Sequence, residues 1–80
     1  LLNENKRKKL NRLIKNPPDK FAGRKVIKIE TIDGIKLDLE DDDWILFRLS
    51  GTEPLIRCYA EAGSEEEVRR LMDHGLDKLK

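Results

Sequence analysis

Four short segments with the composition of β-strands lie in the middle of the chain, joined by links of no more than five residues. They cover residues 25–32, 35–39, 44–49 and 55–62. The first is rich in β-branched residues, and the second alternates apolar and polar side chains as a half-buried strand does. The last two have an apolar residue at every second position, which gives each of them one apolar face. Strands joined by such short links pair with their neighbours along the chain, so the pattern predicts an antiparallel meander.

An amphipathic helix is predicted on each side of these strands. The first occupies residues 1–15, and one stripe of it is apolar: Leu10, Leu13 and Ile14. Pro17 and Pro18 end this helix, because proline lacks the backbone donor and disfavours helical geometry in the residue before it. Residues 16–24 are therefore predicted to be a loop.

Ser64 begins the predicted second helix. Its hydroxyl is placed to accept from the backbone N–H of Glu67, and the Glu67 carboxylate to accept from the Ser64 N–H, as in a capping box. The stripe expected to be buried comprises Val68, Leu71, Met72, Leu76 and Leu79. Gly75 weakens a helix by about 1 kcal/mol relative to Ala, so we expect it to let another backbone come close.

The predicted order of elements is α-β-β-β-β-α. This is an α+β domain with a four-stranded antiparallel sheet and both helices on one face. The 80 residues form one domain, because a domain takes about 100–200 residues. The chain starts with Leu1 rather than Met, so we expect it to be a piece of a longer protein.

The composition argues against several functions. The 17 basic and 16 acidic residues give a net charge of +1, whereas dedicated nucleic-acid binders have a clear basic excess. No apolar run reaches about 18 residues, so we expect no membrane span. No positively charged start is followed by an apolar stretch, so we expect no signal peptide. One Cys and one His make neither an internal disulfide nor a structural zinc site, which favours the reducing cytoplasm.

The link between the third and fourth strands has the residues of an anion site. It reads Ser50-Gly51-Thr52-Glu53-Pro54. Gly51 allows backbone N–H groups to converge into a nest, and the two hydroxyls add donors. Arg48 and Arg57 lie in the adjoining strands, and alternation puts both on the face away from the core. Two guanidinium groups beside such a nest match a phosphate dianion in charge and in donors.

Glu53 is an acceptor and does not bind an anion directly, so we expect it to orient one of the two arginines. The alternative is an ordinary turn with Arg48 and Arg57 in surface ion pairs, because Ser, Gly, Thr and Pro are residues that turns use. Composition alone leaves both interpretations open.

Residues 48–61 closely resemble the phosphate-binding signature of the α-D-phosphohexomutases, the phosphoglucomutase/phosphomannomutase superfamily. That family reads Arg-Pro-Ser-Gly-Thr-Glu-Pro, then a short apolar step, an Arg, an aromatic residue and a Glu. The turn at Asp33-Gly34, the strand opened by Trp44 and the last helix are also similar, so the resemblance covers residues 8–80. Leu49 stands where the family has Pro, and we therefore expect a less rigid loop.

The resemblance implies a C-terminal domain, the fourth of four, with a TATA-binding-protein-like fold. In such enzymes a phosphoserine in the first domain exchanges phosphate with a hexose phosphate, with Mg²⁺ in the second domain, and a bisphosphorylated sugar then reorients. The last domain holds the phosphate that is not reacting. Carried over by position, the phosphate ligands would be Arg48, Ser50, Gly51, Thr52 and Arg57.

Nothing in the chain is similar to the family's catalytic serine loop, metal loop or sugar-selecting loop. We therefore expect these 80 residues to bind a sugar phosphate without catalytic residues or a metal of their own, and to act with the other domains of the same chain. From the resemblance together with the composition, we expect a cytoplasmic protein that binds a sugar phosphate and has no nucleic-acid or membrane partners. The resemblance leaves open glucose, mannose and glucosamine phosphates, so a phosphoglucosamine mutase domain is an alternative.

Three other features of the sequence allow a functional interpretation beside an ordinary structural one. Residues 1–15 carry six basic side chains and one acidic, which suits a basic-helix interaction module without enzymatic role, or a helix face packed on a neighbouring domain. Glu40–Asp43 lacks the spacing of a calcium loop and is expected to be a solvated turn. Cys58 is expected to be a buried, inert thiol. A structural domain with a vestigial loop would bind no phosphate.

Overall fold

The computed structural model describes residues 4–32, 34–49 and 56–79. These residues form two α-helices, one short 3₁₀ helix and five strands, with these bounds: α1 Glu4–Lys15, β1 Lys20–Phe21, β2 Arg24–Glu30, β3 Ile35–Leu39, the 3₁₀ helix Glu40–Asp42, β4 Trp44–Leu49, β5 Ile56–Glu61 and α2 Glu65–Lys78. The strands lie in the order β1-β2-β3-β4-β5, and all neighbours are antiparallel. The predicted α+β class and antiparallel meander are confirmed.

The sheet has one strand more than the predicted four. Lys20 and Phe21 pair with Lys25 and Arg24, so part of the predicted loop 16–24 is the short strand β1. The two residues between them, Ala22 and Gly23, have φ values of 52° and 78°. A two-residue hairpin turn of type I′ requires positive φ at both positions. Asn, Asp or Gly usually occupies the first of them, so Ala22 gives no sequence signal for this turn.

The turn between β2 and β3 is wider than predicted. β2 ends at Glu30, whose register partner is Lys36, so the predicted extension of the strand to Ile32 is wrong. The Ile32 side chain is 89% exposed, and no packing therefore holds the chain extended there. Asp33 lies outside the residues that the structure describes.

One face of the sheet carries the hydrophobic core. Alternation along β3 and β4 places every second side chain on this face, where all are fully buried except Leu49, which is 40% exposed at the end of β4. The core residues are Leu10, Phe21, Ile35, Leu37, Leu39, Ile45, Phe47, Leu71 and Leu79. Since Leu10 comes from α1 and Leu71 from α2, both helices cover this same inner face, as predicted. Neither helix is long and apolar enough to cross a lipid bilayer.

The start of α2 follows the predicted cap only in part. The Ser64 hydroxyl accepts from the Glu67 backbone N–H at 3.2 Å, which confirms Ser64 as the N-cap. The Glu67 carboxylate does not return to the Ser64 N–H, because its two oxygens accept from the Arg24 and Arg70 guanidinium groups.

The buried stripe of α2 differs from the prediction at its C-terminal end. Leu76 is 54% exposed, so its predicted burial is wrong. Gly75 is the residue that meets the sheet: a Cβ placed on it would lie 2.7 Å from Phe47 Cζ and 3.0 Å from Ile45 Cδ1. The close neighbours of Gly75 are therefore side chains rather than the backbone that we expected. This contact directs Leu76, about 100° further around the helix, away from the core.

Arg24 joins the sheet to α2. Its guanidinium group bonds to the Asp43 carboxylate before β4 and to the Glu67 carboxylate in α2. Asp43 is only 7% exposed, so the prediction of a solvated turn over Glu40–Asp43 is wrong for its last residue. The Leu39 N–H also donates to the Asp43 carbonyl at 2.7 Å, which closes this turn.

Candidate functional site

Arg48 and Arg57 face each other across β4 and β5. They are direct partners in the antiparallel register, one step from the last pair, Leu49 and Ile56. Both side chains are exposed on the outer face, which is the face away from the helices. The Cβ atoms of such partners lie about 4.5–5.5 Å apart. The structure therefore brings two of the predicted phosphate ligands close enough to share one anion.

The other predicted ligands lie outside the described residues. Ser50, Gly51 and Thr52 belong to the connector of residues 50–55 between β4 and β5, and so does Glu53. What the structure fixes is the position of the two ends of this connector, since Leu49 and Ile56 are paired. The roles predicted for these four residues stay predictions.

The charge on this part of the outer face is not balanced within the described residues. Like charges directly opposite each other destabilise a strand pair. Within residues 4–32, 34–49 and 56–79, no ion pair joins Arg48 or Arg57 to a carboxylate. An anion bound between the two guanidinium groups would remove their repulsion.

The acidic side chains of the same face have other partners. Glu30 and Asp38 lie 3.8 and 3.5 Å from the Lys36 ammonium group. Glu61 accepts from the Trp44 indole N–H at 3.0 Å. These three carboxylates of the outer face are thus paired with Lys36 or Trp44 rather than with the arginine pair.

An aromatic surface adjoins the two arginines. On the outer face, the next register pair away from the connector is formed by Leu46 and Tyr59. Tyr59 is 42% exposed. Beyond it, the Lys36 Nζ lies 4.9 Å from the centroid of the Trp44 ring, in a cation–π contact. A molecule held by the arginines would therefore border half-exposed rings rather than open solvent alone.

Cys58 lies between Arg57 and Tyr59 in sequence but points to the opposite face. Its Sγ lies 3.5 Å from the Met72 Sδ. Burial raises the pKa of the Cys58 thiol to about 11, because the thiolate would lose its hydration. The group is therefore a protonated thiol at neutral pH, and its predicted role as an inert, buried residue agrees with this environment.

The basic residues of α1 form a separate surface. Arg7, Lys8, Arg12 and Lys15 are exposed on a helix that covers the inner face, whereas the arginine pair is on the outer face. The predicted basic-helix module and the predicted phosphate site are therefore on opposite sides of the sheet, so experiments can separate them. Lys6 lies in α1, but its side chain is outside the described part of the structure.

Sequence reasoning missed two features around the site. The Arg24 contacts span 19 and 43 positions along the chain, a separation at which local patterns give no signal. Gly34 lies beside Arg48, and its sequence signal was only that of a turn. Arg24 bonds next to the start of β4, through Asp43, and Gly34 lies against the end of β4 that carries Arg48.

Comparison with known proteins gives a consistent set of matches. The family described as "Phosphoglucomutase/phosphomannomutase, C-terminal domain" matches residues 3–77. A phosphoglucomutase/phosphomannomutase of Thermococcus kodakarensis is 48% identical over 59 residues, which are 74% of this chain and 13% of that protein.

Two relatives have a different name. A probable phosphoglucosamine mutase of Pyrococcus horikoshii is 47% identical over 70 residues, 88% of this chain and 15% of that protein. A probable phosphoglucosamine mutase of Methanopyrus kandleri is 55% identical over 49 residues, 61% of this chain and 11% of that protein. The chain thus matches only a small part, 11–15%, of the length of these three relatives.

Proposed function

Because this chain belongs to the phosphoglucomutase/phosphomannomutase family, as the C-terminal domain of a phosphohexomutase, we propose that it binds the phosphate group of a hexose phosphate. The observation that carries the proposal is the direct pairing of Arg48 with Arg57 at the connector between β4 and β5. Each guanidinium group offers a planar fork of N–H donors, which suits phosphate oxygens better than a point charge does.

The sheet makes this pair a suitable binding element. Both arginines lie in strands whose inner-face neighbours are packed in the core, so the backbone positions are set before any ligand arrives. Binding then has to order the two arginine side chains but not the strands that carry them, and a smaller entropy loss favours affinity. In the connector, the hydroxyl groups of Ser50 and Thr52 and the backbone N–H of Gly51 donate hydrogen bonds to the phosphate, and Glu53 orients one of the arginines.

The role of such a domain in a mutase is to hold the phosphate that is not reacting. A clamp on the distant phosphate orients the reacting oxygen at the other end of the sugar, and closure over the cleft excludes water. The phosphoserine and the Mg²⁺ ion of the reaction belong to the rest of the longer protein. Among the described residues, no three His, Cys, Asp or Glu side chains form a group that could hold a metal ion.

A phosphoglucosamine mutase is the second candidate for the longer protein, and the names of two relatives favour it. The two candidates share the phosphate and differ at the sugar, so the arginine pair serves either one. The basic-helix module without enzymatic role has less support, because it leaves the arginine pair and the family match without explanation.

Nuclear magnetic resonance titration of the 80-residue chain with glucose 1-phosphate tests the proposal. A few charge-assisted contacts of about 1.5–3 kcal/mol each, less the ordering costs, give a dissociation constant of about 1 mM at best. The side-chain Nε–H signals of Arg48 and Arg57 and the amide signals of residues 50–53 should shift with one midpoint.

Two controls make the titration specific. Unphosphorylated glucose should leave these signals in place, and Lys8→Ala on α1 should leave the midpoint unchanged. Shifts confined to residues 7–15 would contradict the proposal and favour the basic-helix module. A lack of any shift at the arginine pair would contradict it and favour a domain whose loop no longer binds.

A further inference from the structure

Gly34 lies directly against the backbone of Arg48. A Cβ placed on Gly34 would lie 2.1 Å from the Phe47 carbonyl oxygen, 2.8 Å from Arg48 Cα and 3.0 Å from Arg48 Cβ. The Gly34 φ is +124°, in a region that residues with a side chain rarely adopt. Ile35 pairs with Phe47, so Gly34 adds a third strand position to the row of Arg48 and Arg57.

The β4 backbone beside Gly34 has little freedom to move. The Phe47 ring is fully buried, and the close approach of Gly75 confines it on the side of α2. The atom that a Gly34 side chain would meet first is a backbone oxygen, which cannot rotate away as a flexible side chain can. A side chain at position 34 would therefore displace the peptide group between Phe47 and Arg48, and with it the direction of the Arg48 side chain.

We propose that Gly34 is a positioning residue for phosphate binding, whose missing side chain lets the Phe47–Arg48 peptide lie where the Arg48 guanidinium group and that of Arg57 reach the same phosphate. This inference rests on the proposed function of the arginine pair. Gly34 itself does not touch the ligand; it acts through Arg48.

Gly23 supplies a matched control. It also has a positive φ, +78°, but a Cβ placed on it would have no atom within 4 Å. It lies in the turn between β1 and β2, away from β4. Gly23→Ala therefore introduces an unfavourable backbone conformation without the collision, and Gly34→Ala introduces both.

The test measures the affinity of the 80-residue chain for glucose 1-phosphate in four variants: Gly34→Ala, Gly23→Ala, Arg48→Ala and the double variant Gly34→Ala/Arg48→Ala. Gly34→Ala should weaken binding about tenfold, the loss of one charge-assisted contact, while Gly23→Ala binds as the unsubstituted chain does. In the Arg48→Ala background, adding Gly34→Ala should cause no further loss, because residues that act through one another are not additive.

Several results would overturn the inference. Folded Gly34→Ala that binds as well as the unsubstituted chain would do so, and so would a tenfold loss that persists in the Arg48→Ala background. If Gly34→Ala does not fold, the titration of the unsubstituted chain with glucose 1-phosphate is the test. The Gly34 Hα signals should then shift with the same midpoint as the Arg48 signals, and Gly34 signals that do not shift would refute the role. If the unsubstituted chain does not bind glucose 1-phosphate at all, the proposed function itself is wrong. This result differs from a failure of the Gly34 inference alone, in which the unsubstituted chain binds.

Discussion

The two faces of the sheet differ in how β4 and β5 match their opposing side chains. On the inner face, large residues oppose small ones: Phe47 pairs with Cys58, and Ile45 with Ala60. On the outer face, Trp44 and Glu61 are joined by a hydrogen bond. Further along the same two strands, Arg48 lies directly opposite Arg57. The inner pairs are explained by packing within the domain. Packing among the described residues does not explain the arginine pair, and the phosphate ligand proposed above would do so.

The largest effect is expected on the inner face. Phe47→Ala should lower the free energy of unfolding by about 3–5 kcal/mol, because it removes a fully buried ring between the sheet and α2. Urea denaturation measures this loss. Leu76→Ala is the control, since Leu76 is an exposed residue of the same helix and its removal should change stability by no more than about 0.5 kcal/mol. Equal effects of the two would contradict the described packing.

Arg24→Ala should have the second largest effect on stability. It leaves the Asp43 carboxylate buried without its cation, which costs about 3 kcal/mol for an ion pair of this kind. Arg70→Ala removes an exposed partner of the same Glu67 and should cost less than about 1 kcal/mol. Thermal unfolding of the two variants side by side tests the difference. A small loss in both would show that Arg24 does not join the sheet to α2.

A substitution in the arginine pair of the outer face should change the stability of the domain and its affinity for the ligand in opposite directions. Arg48→Glu places a carboxylate opposite Arg57 and should raise the free energy of unfolding by about 0.2–1 kcal/mol, because an ion pair replaces a repulsive one. The same variant should lose glucose 1-phosphate binding by about tenfold or more. Urea denaturation and the titration measure the two quantities on one sample. A variant that is less stable and still binds would break the comparison between the faces.

The last prediction concerns Cys58, whose effect is absent at neutral pH and appears only in alkaline solution. In the unfolded chain its thiol ionises near pH 8.5 or so, its ordinary range, whereas in the folded domain the pKa is raised to about 11. The folded state therefore holds the proton more tightly, so stability falls as the pH rises through this window and is unaffected by this group below it. Cys58→Ala should show a shallower decline than the unsubstituted chain in denaturation between pH 8 and 11. Parallel declines would mean that the thiol is solvated.

The elements that the sequence predicts well are those with local causes. The bounds of β4 and the cap at Ser64 follow from alternation and from one hydroxyl group, and the structure confirms them. β1 escaped prediction because its turn uses Ala22 in a conformation that Asn or Gly usually adopts. The exposure of Leu76 depends on which side of α2 meets the sheet, and helical periodicity alone does not determine that angle.

In the candidate site, too, features with local causes are predicted from the sequence and those that depend on the assembled sheet are not. Alternation places Arg48 and Arg57 on one face, and the register of β4 and β5 adds that they are direct partners. The contact of Gly34 with Arg48 depends on the third strand, so it becomes visible only in the assembled sheet. Ser50, Gly51 and Thr52 lie outside the described residues, and their part in the site remains a prediction.

The spacing of the two arginine residues is a property of the sheet. Neighbouring strands lie about 4.8 Å apart whatever connects them, and Leu49 and Ile56 fix where the connector leaves and returns. An insertion or deletion within residues 50–55 therefore changes the reach and shape of the loop but not the separation of the charges. Changes in the loop therefore alter the proposed ligands Ser50, Gly51 and Thr52, while the backbone positions of Arg48 and Arg57 stay where the sheet sets them.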